Sequence, residues 1–286
     1  MTDIIAGRVR QVTGPSGLPI LQITNELGTA EVLLHGGHVL SFQPAGNSLV
    51  LWMSSHSPFA DGKAVRGGVP VCWPWFGPDP RGMHGFVRYT SWKLAEAAQL
   101  ADGRTRVVLT ISDSTASRVM WPHAFRLDLA VTVGCELELA LTATNTDKVP
   151  WSWHGALHTY LAVADVRRTT VAGLDGCAYL DAPSNGSERN LIQDGLVTFT
   201  DEVNRRYFEP DRTVLITDGI RRIRVTKAGS NATVVWNPGP TRAGAMPEIG
   251  DLWPGMVCIE AAVFGEGRVD LLPGCAWTLR QTVSVI

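Results

Sequence analysis

The residues most able to do chemistry are ionisable side chains set among apolar neighbours. Glu260 is a clear case, because it occupies the middle of the otherwise apolar run 255–264. A carboxylate there is costly unless it is paired, hydrogen-bonded or exposed in a cleft. In a cleft, half-apolar surroundings would adjust its pKa for work as a general base. The alternative is the polar side of an edge strand, because strand alternation places Glu260 on one face with Cys258 and Ala262.

Two histidines, His154 and His158, lie four residues apart in the stretch 151–160. Gly155 and the Thr-Tyr pair after His158 favour a strand, on which both rings would point to the same face. The alternative is an ordinary hydrogen-bonded core residue, which suits His154 better than His158. The stretch contains no H-E-x-x-H or similarly specific pattern, so the sequence does not predict a metal site.

A third group consists of Arg66, Arg81 and Arg88 in the segment 64–88. This segment holds five glycines and four prolines, which makes it a poor strand and a worse helix. Its many apolar side chains predict a packed loop, and a long irregular loop in a compact domain is usually functional. A guanidinium presents a planar fork that matches phosphate oxygens. Because the neighbours of Arg66 and Arg88 are apolar, full solvation of both is not expected.

Short β-type runs separated by turn residues dominate the remaining sequence and predict an antiparallel sandwich or barrel. Residues 18–24 and 29–34 flank the turn 25–28 and predict a hairpin. Residues 202–208 could hold one helical turn at most. No linker or low-complexity tract divides the chain, so a single domain, residues 1–286, is expected. Further strands are predicted at 106–112, 125–133, 136–144, 214–217, 223–226, 232–236, 256–264 and 277–286.

Composition excludes several classes of protein. The net charge is −2 and the isoelectric point about 6.4, so no basic field draws the chain to nucleic acid. No apolar run approaches the ~18–20 residues of a membrane helix, and the first residues lack the features of a secretory signal. We therefore expect a cytoplasmic location, no membrane partner and a chain that could be a monomer. Neither a disulfide framework nor a zinc site is indicated by the scattered cysteines, which are Cys72, Cys135, Cys177, Cys258 and Cys275.

Five blocks of sequence follow one another along the chain: VRGGVPVCWPWFG (65–77), HGFVR (84–88), ALHTYLAVADV (156–166), VVWNPG (234–239) and VCIEAA (257–262). Together and in this order they resemble the glucose-6-phosphate 1-epimerases, which are hexose-6-phosphate mutarotases of the aldose 1-epimerase superfamily. The resemblance implies an all-β fold, a large antiparallel β-sandwich of the galactose mutarotase-like type with very little helix. It also implies interconversion of the α and β anomers of an aldohexose 6-phosphate, most simply glucose 6-phosphate, without metal or organic cofactor.

The resemblance also implies a catalytic pair. His158 in ALHTY matches the family's catalytic acid, and Glu260 in VCIEAA matches its catalytic base. In this hypothesis Glu260 takes the proton of the C1 hydroxyl while His158 protonates the ring oxygen. The ring opens to an aldehyde, the carbonyl turns about C1–C2, and reclosure gives the other anomer. This assignment expects His158 to start protonated and Glu260 to start ionised.

Substrate binding is implied by the same blocks. Arg66 and Arg88 match arginines associated with the sugar phosphate, and His84 and Asn204 are expected to hydrogen-bond the hydroxyls. Two positions depart from the family pattern: Met83 stands where Gln is common, and Asn204 replaces an Asp that touches the sugar. Asn keeps an acceptor but loses the charge, whereas Met loses both donor and acceptor. The preferred hexose is therefore left open.

Three rival functions follow from the same residues. The first is an aldose 1-epimerase acting on unphosphorylated sugar, against which the paired loop arginines argue. The second is a non-catalytic carbohydrate-binding module, because a fold alone does not define a function. The third is a metal-dependent β-barrel enzyme that would use His84, His154 and His158.

Overall fold

The computed structural model of the chain describes residues 2–209 and 212–286, most of which form short strands joined by turns. Two short α-helices are α1 (Thr115–Met120) and α2 (Gly239–Ala243), and 3-10 turns occupy Pro15–Gly17, Val87–Tyr89, Val166–Arg168, Gly250–Gly255 and Gly265–Gly267. The strands are β1 (Thr2–Ile5), β2 (Val9–Thr13), β3 (Pro19–Asn25), β4 (Gly28–Leu33), β5 (His38–Pro44), β6 (Val71–Cys72), β7 (Lys93–Gln99), β8 (Thr105–Ser112), β9 (Phe125–Val133), β10 (Glu136–Asn145), β11 (Trp151–Trp153), β12 (Gly155–Leu157), β13 (Tyr160–Ala162), β14 (Thr170–Ala172), β15 (Ala178–Asp181), β16 (Arg189–Ile192), β17 (Val203–Tyr207), β18 (Val214–Thr217), β19 (Arg222–Ala228), β20 (Ala232–Asn237), β21 (Met256–Val263), β22 (Val269–Leu271) and β23 (Ala276–Val285).

The strands form three larger sheets and one separate pair, β11–β22. Strands β1 to β5 form a five-stranded sheet in chain order. The sheet that we call the site sheet runs β16-β15-β17-β20-β21-β12-β6, with β13 also paired to β21. The opposing sheet runs β14-β18-β19-β23-β10-β9-β8-β7. Every pair of these strands is antiparallel, which confirms the predicted all-β, antiparallel class of fold.

The main core lies between the site sheet and the opposing sheet. On β21 the odd-numbered residues from Val257 to Val263 join this core, together with inward residues of β23 such as Leu279. The even-numbered Cys258 and Ala262 belong to a second, smaller apolar cluster on the other face of β21. Because side chains alternate along a strand, Glu260 also points to that second face, away from the main core.

The predicted hairpin is confirmed between β3 and β4, where Asn25 pairs with Gly28 around a two-residue loop. The Asn25 side-chain oxygen accepts hydrogen bonds from the backbone N–H groups of Leu27 (2.9 Å) and Gly28 (3.0 Å). This is the local contact by which an asparagine stabilises a turn. The predicted strands 125–133 and 214–217 coincide with β9 and β18.

The helical turn allowed at 202–208 is wrong. Val203–Tyr207 is strand β17, which pairs with β15 on one side and β20 on the other. Buried residues at Val203 and Tyr207, four apart, fit a strand face as well as a helix face. Pairing with two neighbouring strands decides between the two, and the segment becomes an interior strand of the site sheet.

The segment 64–88 is an irregular, packed loop, as predicted. Its only regular pieces are β6 and the start of the 3-10 turn Val87–Tyr89, and Trp73 and Phe86 are almost fully buried. Cys72 of β6 pairs with Ala156 of β12, which fixes the loop to one edge of the site sheet. The loop is thereby placed beside the face on which Glu260 lies.

Among the described residues, no helix has the length and apolar character needed to cross a membrane.

Candidate active site

Three neighbouring strands of the site sheet place a row of side chains on one face. Arg206 on β17 pairs with Val234 on β20, which in turn pairs with Glu260 on β21. The next row on this face contains Asn204, paired with Trp236. All five side chains line one cavity of about 330 Å³. The register of β17, β20 and β21 therefore builds the floor of a candidate site.

The imidazole of His158 meets the carboxyl of Glu260 across this cavity. His158 lies between β12 and β13, both of which pair with β21, and this brings it opposite Glu260. Its Nε2 lies 3.5 Å from Glu260 Oε1. Both side chains are buried, and both line the cavity. Two of the predicted site residues, 102 positions apart in the sequence, are thus brought together.

Aromatic contacts hold the His158 ring in place. Tyr160 stacks on it with ring centres 4.8 Å apart and planes at 7°. Trp236 approaches edge-on at 6.0 Å. A ring held on two sides has little rotamer freedom, so its nitrogens keep a fixed direction toward the cavity.

Burial changes the protonation of the pair. It raises the pKa of Glu260 well above the ordinary value, with the positive charge of Arg206 opposing the rise. Burial lowers the pKa of His158 well below the ordinary value, and the nearby charges of Arg66 and Arg88 lower it further. Burial therefore shifts the pair toward a neutral imidazole and a protonated carboxyl. This differs from the expectation that His158 starts protonated and Glu260 ionised, because a buried ion pair is costly without further partners.

Each member of the pair also has a buried polar atom without a hydrogen-bond partner in the described structure. These atoms are His158 Nδ1 and Glu260 Oε2. Buried polar atoms are usually satisfied, and unsatisfied ones beside a cavity are typical of places where a ligand binds. Glu260 is not the polar side of an edge strand, because β21 has paired strands on both sides.

Arginines surround the pair. Arg66 and Arg88 both line the cavity, as do Arg206 and Arg242, which sequence reasoning missed. Arg66 Nη1 donates to the Tyr160 hydroxyl at 3.0 Å. The Nε atoms of Arg66 and Arg88 are buried with no hydrogen-bond partner among the described residues. Four guanidinium groups give the cavity a strongly positive wall suited to an anion.

Arg81, the third arginine of the loop, is not part of this wall. Its guanidinium pairs with Asp79, with Nε 2.6 Å from Oδ1, and lies 4.1 Å from the centre of the Trp75 ring. The side chain is partly exposed to solvent. Unlike Arg66 and Arg88, Arg81 does not line the cavity.

His84 enters the cavity as a neutral hydrogen-bond donor. The backbone N–H of Gly77 donates to His84 Nδ1 at 3.0 Å, which leaves the ring proton on Nε2. Burial, with the nearby Arg88 and Arg66 charges, lowers the pKa of His84 to about 3. Its φ of 61° is unusual for a residue with a side chain. A Cβ on the following Gly85 would overlap the carbonyl oxygen of Trp73, so this backbone path requires glycine.

The two departures from the family pattern also line the cavity. Asn204 Nδ2 donates to the Ala182 carbonyl oxygen at 2.8 Å, which leaves its side-chain oxygen as the acceptor available to a ligand. Met83 lies at the rim and is 46% exposed. One position therefore offers an acceptor, whereas the other offers only an apolar surface.

The residues that sequence reasoning missed differ in how they could have been found. Arg206 alternates with Asn204, so a strand assignment for 202–208 would have placed both side chains on the same face. Arg242 lies in α2 and approaches Glu202, with Nε 3.5 Å from Oε1. No spacing in the sequence links Arg242 to the other arginines.

The three histidines of the metal-dependent rival do not form a cluster. The rings of His84 and His158 have centres 5.7 Å apart. His154 Nε2 instead contacts the Gly265 carbonyl oxygen at 3.2 Å, and His154 does not line the cavity. Across residues 2–209 and 212–286, no three His, Cys, Asp or Glu side chains are grouped closely enough to hold a metal ion.

Comparison with known proteins identifies the family of the chain. A model of the aldose 1-epimerase family matches residues 19–284. Two proteins named "Putative glucose-6-phosphate 1-epimerase" are similar to the chain. The one from Escherichia coli K12 is 36% identical over 257 residues, covering 87% of this chain and 84% of that protein. The one from Cenchrus ciliaris is 33% identical over 288 residues, covering 96% and 87%.

The fold comparison leads to the same group. The crystal structure named as a putative mutarotase from Salmonella typhimurium superposes with a TM-score of 0.89 at 31% identity, over 99% of this chain and 95% of that chain. The fold is therefore that of the galactose mutarotase-like sandwiches. The chain belongs to the aldose 1-epimerase family.

Burial of the Glu260 carboxyl should make the free energy of unfolding depend on pH. Because the pKa of Glu260 is raised in the folded chain, its contribution to stability is fully present below about pH 4.5, the ordinary value. That contribution is lost as the pH rises through the raised value. Glu260→Gln does not titrate, so the variant should gain stability relative to the wild type as the pH rises. Each tenfold change in the acid constant is worth about 1.4 kcal/mol.

Urea unfolding from pH 5 to pH 8 measures this difference. Glu136→Gln is the matched control, because Glu136 forms a partly exposed pair with Arg224 on the opposing sheet. The control should show only the small loss expected for a partly exposed ion pair. A Glu260→Gln difference that stays constant from pH 5 to pH 8 would contradict the raised pKa.

Proposed function

We propose that the chain interconverts the α and β anomers of an aldohexose 6-phosphate, preferably glucose 6-phosphate, by acid–base ring opening and reclosure. The observation that carries the proposal is the 3.5 Å separation of His158 Nε2 and Glu260 Oε1 at a cavity lined by arginines. Family membership supports an aldose epimerase, and the names of the similar proteins support a 6-phosphorylated substrate.

The short separation suits the reaction. Anomerisation moves one proton off the C1 hydroxyl and one proton onto the ring oxygen. Both oxygens are bonded to C1, so the base and the acid must also be neighbours. Glu260 serves as base toward the hydroxyl and His158 as acid toward the ring oxygen. The aldehyde formed then turns about C1–C2 and closes from its other face, with the two roles reversed.

The protonation of the pair fits one half of this cycle. Ring opening leaves Glu260 protonated and His158 neutral, which is the state toward which burial shifts the pair. Ring opening itself requires the proton on His158. The charges of Arg66 and Arg88 disfavour that state, and a bound phosphate would offset them. The phosphate of the substrate thus favours the protonation state that starts the reaction.

The rest of the cavity accounts for binding. Arg66 and Arg88 hold the phosphate, since both present buried guanidinium N–H groups without partners among the described residues. His84 donates from Nε2 to a sugar hydroxyl, and the side-chain oxygen of Asn204 accepts from another. The partner is a small-molecule sugar phosphate.

Two-dimensional NMR exchange at the anomeric position tests the function. Purified protein is added to glucose 6-phosphate, galactose 6-phosphate and glucose in parallel, and each exchange rate is compared with the rate in protein-free buffer. We expect the largest acceleration with glucose 6-phosphate and a much smaller one with glucose. A larger acceleration with glucose would favour the unphosphorylated aldose, whereas binding without acceleration of any of the three would support a non-catalytic module.

A further inference from the structure

The polar side chain of Gln281 lies in the core between the two large sheets. Gln281 on β23 alternates with Leu279 and Val283, and all three are fully buried. A buried amide is costly unless both its N–H groups and its oxygen find partners. The partners of Gln281 therefore indicate what this residue does.

Both partners adjoin the candidate acid–base pair. Gln281 Nε2 donates to the carbonyl oxygen of Ile259 at 2.9 Å, and Gln281 Oε1 accepts a hydrogen bond from the hydroxyl of Thr159. A flipped amide would place two oxygens against each other, so this orientation is the only one that fits. Thr159 follows His158, and Ile259 precedes Glu260. One side chain from the opposing sheet thus contacts both neighbours of the pair.

The bond to Ile259 replaces a missing bond of the sheet. Ile259 N–H donates to the Thr159 carbonyl oxygen at 3.1 Å, and a regular antiparallel pair would return Thr159 N–H to the Ile259 oxygen. Thr159 N–H instead donates to the Leu157 oxygen at 3.1 Å. The backbone is therefore kinked between β12 and β13, and Gln281 supplies the donor that the kink removes.

The kink is where His158 lies. Its own N–H points away from β21 and continues the pairing of β12 with β6, donating to the Pro70 carbonyl oxygen at 3.1 Å. We propose that Gln281 is a positioning residue for the His158–Glu260 pair, because its amide holds the kinked backbone at 158–159 against the strand that carries Glu260. The proposal rests on the proposed function in one respect, since the effect of positioning is measured through anomerisation.

The main test is Gln281→Met, which keeps the length of the side chain and removes both hydrogen bonds. A shift of about 1 Å in a reacting group can cost about 10²-fold in rate, so we expect kcat for glucose 6-phosphate to fall by about 10- to 100-fold. KM should change by less than about twofold, because Gln281 does not line the cavity. A kcat within about twofold of the wild-type value would overturn the proposal.

Asn145→Leu is the matched control. Asn145 on β10 is a fully buried amide that donates to the carbonyl oxygens of Val149 (3.0 Å) and Leu271 (2.8 Å), none of which line the cavity. This variant should lose stability as Gln281→Met does and keep its kcat. An equal loss of kcat in both variants would mean that lost stability, rather than positioning, explains the result.

Gln281→Glu provides a rescue that a purely structural role would not show. When protonated, its carboxyl can donate to Ile259 and accept from Thr159, as the amide does. We expect kcat between the Gln281→Met and wild-type values near pH 6, and a ratio to the wild type that falls as the pH rises. A ratio independent of pH would argue against a hydrogen-bonding role.

Two further measurements test the positioning role of Gln281. If Gln281→Met does not fold, Thr159→Val removes one of the two bonds and should still lower kcat by at least about threefold; an unchanged rate would overturn the proposal.

The second measurement is the NMR signal of the His158 ring, identified by its loss in His158→Ala. It should shift in Gln281→Met and stay unchanged in Asn145→Leu. This readout decides the proposal even if the wild type proves inactive, which would instead refute the proposed function.

Discussion

Glu260→Gln should lower kcat for the anomerisation of glucose 6-phosphate by about 10²–10⁴-fold, the usual contribution of one proton-transfer group. The substitution keeps the shape of the side chain and removes its ability to take or give a proton. Since Glu260 lies 3.5 Å from His158 and is 1% exposed, water cannot readily take over its role. KM should change little, because the phosphate is held by other residues. NMR exchange measures the rate above the background of spontaneous anomerisation.

The pair should also behave as one unit. His158→Ala alone should cause a loss similar to that of Glu260→Gln, and the double variant should be hardly slower than the slower single variant. Glu136→Gln, far from the cavity, is the control and should keep the wild-type rate. Near-normal activity in either single variant would remove that residue from its proposed role, and losses that multiply in the double variant would mean that the two residues act independently.

Arg88→Ala and Arg66→Ala should each reduce kcat/KM for glucose 6-phosphate by about 10- to 100-fold. This follows from about 1.5–3 kcal/mol for a hydrogen bond to a charged group and 1.4 kcal/mol for each factor of ten. For free glucose the loss should be much smaller, because no phosphate is present to contact either guanidinium. Inorganic phosphate should inhibit the wild type competitively and the two variants more weakly.

Arg81→Ala is the matched control for the arginine variants. Arg81 belongs to the same loop but contacts Asp79 and Trp75 outside the cavity, so the rates with both sugars should be unchanged. Equal losses with glucose and with glucose 6-phosphate in Arg66→Ala and Arg88→Ala would contradict phosphate binding by these residues. The phosphate would then have to be sought at Arg206 or Arg242.

Much of the fold is predictable because apolar and polar residues alternate along a strand that has one buried face and one exposed face. Residues 125–133 show that alternation and coincide with strand β9. Residues 202–208 do not show it clearly, and β17 is stabilised by its neighbours β15 and β20, which a local pattern cannot reveal. The sequence pattern does not predict strands β1, β2, β5, β7, β14, β15, β16 and β22. The predicted family and class of reaction agree with the family to which the chain belongs.

The site is predictable only in part, because its members come from distant segments. Five ordered blocks identified His158, Glu260, Arg66 and Arg88, and the structure places all four at one cavity; their individual roles stay predictions. No periodicity links residues 158 and 260, since the contact depends on both β12 and β13 pairing with β21. Gln281 is recognisable in the sequence as a polar residue that alternates with Leu279 and Val283 on the buried face of a predicted strand. Its hydrogen-bond partners can be identified only from the packing of the two sheets.

Glu260 lies on an interior strand, whereas Met83 lies at the rim of the cavity and Asn204 on a strand further out. This arrangement has an evolutionary consequence. The proposed proton-transfer group lies on a strand that is buried throughout and paired on both sides, whereas the side chains at positions 83 and 204 are partly open to solvent. Descendants of one ancestral scaffold can thus diversify in the sugars they accept while inheriting the same proton chemistry.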